Sequence, residues 1–139
     1  MTPRRLRYLW ALPASAVGVL FALLARCTGA RFRIVDGVLE VAGGRIPRLV
    51  AALPAWARFG AITFGHVILG TEHAVLERAR AHEHVHVRQY ERWGAVFFPL
   101  YIGSSLVQLL RGRDPYWNNC FEREAYAVAG ATRSKGDDA

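Results

Sequence analysis

Disulfide frameworks, phosphate cradles and serine nucleophiles leave marks that this chain does not carry. Two cysteines, Cys27 and Cys120, are too few for a disulfide framework, and the one pair they could form neither requires nor excludes an oxidising compartment. No internal repeat, Gly-rich phosphate loop or serine-nucleophile motif occurs. Lysine is nearly missing: one lysine stands against seventeen arginines, and the net charge is +7. A positive balance of this size suits nucleic acid, an anionic membrane surface or simply an arginine-favouring composition. No basic run is interleaved with aromatics as a nucleic-acid groove needs, so nucleic acid is not an expected partner. The length, 139 residues, fits one domain large enough to bury a core.

Histidine is concentrated. Three of five histidines fall within His82-Glu83-His84-Val85-His86, which contains the H-E-x-x-H spacing. On a helix, residues four apart stand above one another, so the imidazoles of His82 and His86 can share one metal ion. Glu83 is turned by about 100° from His82, so it does not compete as a ligand but can hold a water and take its proton. That is the outline of hydrolytic Zn²⁺ chemistry. The flanks predict the helix: Ala74 to Ala81 are strong helix formers, Thr71 is a candidate N-cap and Gly94 a candidate stop. A strand would instead project His82, His84 and His86 together, a reading kept open by Val85 and Val87. The plain alternative is a helix whose inward histidines are hydrogen-bonded core residues.

Together with Asn119-Cys120-Phe121-Glu122-Arg123-Glu124-Ala125-Tyr126, this stretch resembles the zincin metallopeptidases, in the branch whose third zinc ligand is a glutamate on a second helix. It is most similar to the small membrane-associated members. The resemblance covers roughly residues 61–131 and implies a small α+β zincin-like domain, a hairpin and a strand beside metal-site helices. It implies Zn²⁺ held by His82, His86 and Glu122, Glu83 as general base, and a peptide or protein substrate. Where that pattern usually has Asp, this chain has Tyr126, so either the Tyr126 hydroxyl or a carbonyl must orient the ligand histidine. Glu122 also has capping-box spacing from Asn119. Glu124 is the rival ligand; residues two apart on a helix point about 200° from one another, and Ala125, Tyr126 and Ala129 place Glu122 on the inward face.

The remaining chain divides into three by composition. Residues 1–30 read as an N-terminal membrane segment: Arg4, Arg5 and Arg7 precede an uncharged run from Tyr8 to Ala25. No clean cleavage site follows, which favours a retained single-pass anchor over a signal peptide or a buried core helix. Arginines balance on its two sides and leave its orientation open. Residues 31–132 form the domain and residues 133–139 a frayed tail. Within the domain, Asp36-Gly37 predicts a hairpin, Leu49 to Phe59 a short helix interrupted by Pro54, and Ala61 to Leu69 one strand closed by Gly70. His66 reads as a satisfied core residue and His73 as surface. Gly94 to Leu110 is uncharged, yet a span there would put Glu122 about 25 Å from His86. It is therefore expected as a packed helix that returns the chain to the site. The expected function is a membrane-associated zinc metallopeptidase. The alternatives are a non-catalytic or degenerate metal-binding membrane protein, or a membrane-surface module without metal.

Overall fold

The computed structural model describes residues 3–137. They form an α+β fold around a mixed four-stranded sheet of order β1-β2-β4-β3. The chain enters through α1 (Pro3–Trp10) and α2 (Leu12–Cys27), then makes the hairpin of β1 (Ala30–Val35) and β2 (Val38–Gly43). Asp36 at φ 51° and Gly37 at φ 80° both take the left-handed backbone that a tight two-residue hairpin turn demands, as the Asp-Gly pair predicts. Helix α3 (Ile46–Ala52) starts earlier than expected, with Pro47 in its first turn, and ends before Pro54; a single 3-10 turn at Ala55–Ala57 follows.

The expected single strand from Ala61 to Leu69 is two. Gly65, at φ 59°, turns the chain so that β3 (Ala61–Phe64) folds back antiparallel on β4 (Val67–Gly70), with Phe64 opposite Val67. A side chain at Gly65 would also collide with the backbone of Ser15. β4 then pairs in parallel with β2, Val41 facing Leu69. Its unbroken Val67-Ile68-Leu69 run has the composition of a strand buried on both faces.

Both faces are in fact covered. Val67 and Leu69 pack with Val41, Ala22 and Ala25 under α2, whereas Ile68 packs with Val38, Ala42 and Leu76 under α4 (His73–Trp93). One face of the N-terminal run thus packs on the sheet, through Gly18, Ala22 and Ala25. Gly18 lies where an added Cβ would stand 2.7 Å from the Val67 Cβ, and the Ser15 hydroxyl accepts from the His66 amide at 3.0 Å. The one helical stretch among the described residues long and apolar enough to cross a membrane lies elsewhere, in His73–Leu110. Gly94, at φ 61°, interrupts it between α4 and α5 (Phe97–Leu110).

Helix α4 is a helix throughout 82–86, which removes the strand reading; it ends at Gly94 as expected, but Glu72 and not Thr71 precedes it, in extended backbone. Its far side is fastened to β2 by a fork in which Arg80 Nε and Nη2 donate to the two oxygens of buried Glu40 at 2.7 and 2.9 Å. Helix α5 is less embedded than its apolar composition predicts: only Phe97 is buried. A turn held by Asp114 Oδ1, which accepts from the amides of Tyr116 and Trp117, reverses the chain. Helix α6 (Cys120–Asp137) then runs back along α4 and continues through most of the expected tail.

Candidate metal centre

Helices α4 and α6 bring three of the sequence-predicted residues to one point. His82 and His86 stand one turn apart on α4, and Glu122 reaches them from the first turn of α6. The Nε2 atoms of the two imidazoles are 3.1 Å apart, Glu122 Oε2 is 3.0 Å from His82 Nε2, and Glu122 Oε1 is 3.4 Å from His86 Nε2. Tetrahedral zinc with bonds of about 2.0–2.1 Å requires ligand-to-ligand edges of roughly 3.3 Å. The observed triangle has that size, and these three are the group whose donor atoms could hold a metal ion.

The hydrogen-bonding around the triangle leaves lone pairs aimed into it. Gln89 Nε2 donates to Phe121 O at 3.1 Å and to Glu124 Oε2 at 2.8 Å, so its Oε1 is the atom that faces His86 Nδ1 at 2.8 Å. Nδ1 therefore carries the proton of neutral His86, and Nε2 presents a bare lone pair to Glu122 and His82. Glu122 Oε1 accepts from the Tyr101 hydroxyl at 2.6 Å, whereas buried Oε2 is close to His82 without the angle of a hydrogen bond and has no other partner. Converging, partly unsatisfied acceptors are costly unless a proton or a cation lies among them. Burial alone would push the Glu122 carboxyl up, but His82, His86 and Tyr101 outweigh it and hold the group well below the ordinary carboxylate range. For His86, burial pushes down and the contact with Glu122 pushes up, with a net rise.

Glu83 lies beside the triangle and outside it. It is buried, and Thr63 on β3 donates to its Oε2 at 2.7 Å. His82, Glu83, His86 and Glu122 share the wall of a cavity of about 1010 Å³ with β3, Phe98 and Tyr126. Since β3 is an edge strand, one side of its backbone lacks a strand partner, and all four of its residues line this cavity.

Glu124 lies outside the triangle, but neither does it point away from α4: it accepts from Gln89 and, at 3.3 Å, from Arg92. Nor is Glu122 a cap. Asn119 caps α6 by itself, its Oδ1 accepting from the Phe121 amide, while its own amide donates to Tyr116 O. Tyr126 does not orient a ligand histidine through its hydroxyl, which lies 3.0 Å from that of Tyr116; its ring rests against His82 at 4.3 Å. The orienting group for His86 is Gln89, legible in hindsight as a polar residue three positions on along the same helical face. Thr63 and Tyr101 carried no comparable signal, each being one polar group in an apolar stretch.

The other histidines are separate from this centre. His66 is a satisfied core residue as expected, stacked on Tyr8 at 3.9 Å with Nε2 3.0 Å from Glu91 Oε1. His73 is half-buried, not exposed, and burial pushes half-buried His84 down. No protein-family model, no curated protein and no solved structure matches this chain.

Proposed function

We propose that this protein is a zincin-like zinc peptidase, hydrolysing peptide bonds with His82, His86 and Glu122 as the metal ligands. The observation that carries the proposal is the triangle of donor atoms, of zinc-sized edges, with the buried carboxylate of Glu83 against it and outside it. Two imidazoles and one carboxylate are a donor set suited to zinc with an open fourth position. A bound zinc ion supplies Lewis acidity there, making water acidic and polarising a carbonyl.

The remaining steps belong to the chain's own side chains. Thr63 holds Glu83 Oε2, so Oε1 is the free oxygen that takes a proton from the attacking water and passes it to the leaving amine. Gln89 keeps the His86 proton on Nδ1 and so keeps Nε2 available as a ligand atom. Tyr101 fixes the carboxylate plane of Glu122. The open edge of β3 offers main-chain donors and acceptors to an extended substrate, which favours a peptide over a compact small molecule.

Zinc content and cleavage of a mixed peptide library, followed by mass spectrometry on the same preparation, test the proposal. Wild type and Glu83→Gln should each bind about one zinc per chain, while the substitution lowers hydrolysis by about 10²-fold or more. A wild-type chain that holds zinc and cleaves nothing would be the non-catalytic metal-binding protein. A chain that takes up no zinc would remove both readings.

A further inference from the structure

Helices α2 and α5 both carry faces that the domain does not cover. Leu20, Leu23 and Leu24 on α2 are 58, 55 and 58 % exposed, and Leu106, Leu109 and Leu110 on α5 are 52, 58 and 80 % exposed. The helices meet where Ala11, just before α2, packs with Phe97 at the start of α5 and with Tyr90 of α4. Apolar surface of this extent on a monomer marks a contact with lipid or protein.

Charge decides between the two. All 11 acidic residues fall outside residues 1–35 and 92–113, the two stretches that contain these helices. The same stretches hold Arg5, Arg26 and Arg31 around α1 and α2, and Arg111 and Arg113 at the end of α5, all exposed. Among the described residues none of these five has a carboxylate partner, unlike Arg7, Arg33 and Arg92, which pair with Glu91, Glu77 and Glu124. A second copy docked face to face would set arginine against arginine, whereas an anionic bilayer supplies apolar chains to the leucines and phosphates to the guanidinium groups.

We infer that the outward faces of α2 and α5 are a docking surface for anionic lipid membranes, entered from one side and not crossed. Geometry supports entry without crossing: α2, of 16 residues, measures about 24 Å, less than the roughly 30 Å of a hydrocarbon core, and the turn after α5 brings Asn119 back to Tyr101 O and Ser105 Oγ on that helix. Helix α2 also keeps its inner face on the sheet, with Gly18, Ala22 and Ala25 buried. This surface replaces the single-pass anchor expected from the sequence. It also sets the cavity of the metal centre at the lipid boundary, because Phe97, Phe98 and Tyr101 of α5 form part of the cavity wall.

Flotation of the full chain with vesicles tests this and needs neither metal nor substrate, so its outcome is independent of the peptidase proposal. The chain should float with phosphatidylglycerol-containing vesicles and much less with pure phosphatidylcholine. Leu20→Asp/Leu24→Asp and Leu106→Asp/Leu109→Asp should each abolish flotation, while Arg88→Gln, at an exposed position of α4 outside both stretches, should not. Arg111→Gln/Arg113→Gln, two exposed changes that spare the fold, should lower partitioning about thirtyfold, with the remainder sensitive to salt. Equal flotation with both vesicle types overturns the inference. So does failure to float with anionic vesicles, or a dimer in solution that the leucine substitutions dissociate.

Discussion

Two histidine–glutamate contacts in this protein, each between one buried and one half-buried side chain, have the same length and opposite meanings. His66 Nε2 and Glu91 Oε1 are 3.0 Å apart, as are His82 Nε2 and Glu122 Oε2. Around His66 the surroundings close: Glu91 takes one ring nitrogen, Ser15 Oγ stands 3.4 Å from the other, and Tyr8 stacks on the ring. Its role is to tie α1 and α2 to α4. Around His82 the surroundings stay open, with Nδ1 and Glu122 Oε2 unpartnered, and a second imidazole lone pair arriving from His86. Distance is therefore shared by the structural histidine and the proposed ligand; what separates them is whether their polar atoms already have partners.

The largest expected effect breaks the comparison outright. His86→Ala should abolish zinc binding while leaving the His66 cluster intact, and His66→Ala should leave zinc stoichiometry unchanged, as read by metal analysis of the folded proteins. Zinc lost from both variants to the same degree would mean that the two clusters are not distinct in kind.

Next in size is the support of the ligand. Gln89→Leu removes the acceptor that fixes the His86 tautomer and should weaken zinc affinity about 10- to 100-fold; competition against a chelator measures the loss. Glu124→Gln, acting only through Gln89, should fall between wild type and Gln89→Leu. Were Glu124→Gln to cost more than Glu122→Gln, the ligand would be Glu124 and the assignment of the α6 face wrong.

On the closed side, His66→Phe keeps the stack on Tyr8 but leaves Glu91 only its 3.8 Å contact with Arg7, and should cost about 1–3 kcal/mol in urea unfolding. The same measurement on Ser15→Ala should show a cost of similar size, since it removes the acceptor of the buried His66 amide at 3.0 Å as well as the long 3.4 Å contact to Nδ1. A His66→Phe protein as stable as wild type would show that the cluster does not hold α1 and α2 in place.

The smallest effect is a pH dependence confined to the open side. In the metal-free chain His86 is raised above its ordinary 6.5, so its contribution to stability is complete below that pH and is lost as pH climbs through the raised value. Glu122 is held below its ordinary 4.5, so its contribution is complete above 4.5 and is lost as pH falls through the lowered value. Metal-free protein should thus be most stable between those two limits and lose stability toward alkaline pH. Zinc should reverse the alkaline trend, because the metal takes the proton's place. Melting temperatures with and without chelator check this, and His86→Phe should flatten the metal-free trend.

Local periodicity made part of this molecule legible. Helix α4, the shared face of His82 and His86, the offset of Glu83, the Asp36-Gly37 turn and the preference for Glu122 over Glu124 all follow from spacings of one to four residues. The β3–β4 hairpin rests on one residue, Gly65, whose left-handed backbone makes the turn and whose missing side chain admits Ser15, a contact from fifty residues earlier. Gln89 carries no local sign of its role, because the groups that set which end of its amide faces His86, Phe121 O and Glu124, come from a helix thirty residues on.

By itself the sequence determined that an α+β domain would carry a helix with two imidazoles on one face and a carboxylate beside them, since backbone geometry dictates which residues of one element share a face. Only the tertiary structure decided that Glu122 completes the triangle, that Gln89 fixes the His86 tautomer, and that α2 lies on the sheet as part of the core. An apolar run of that length reads alike whether a bilayer or β4 covers it, and contacts between distant elements are set by how the helices pack on the sheet and on one another.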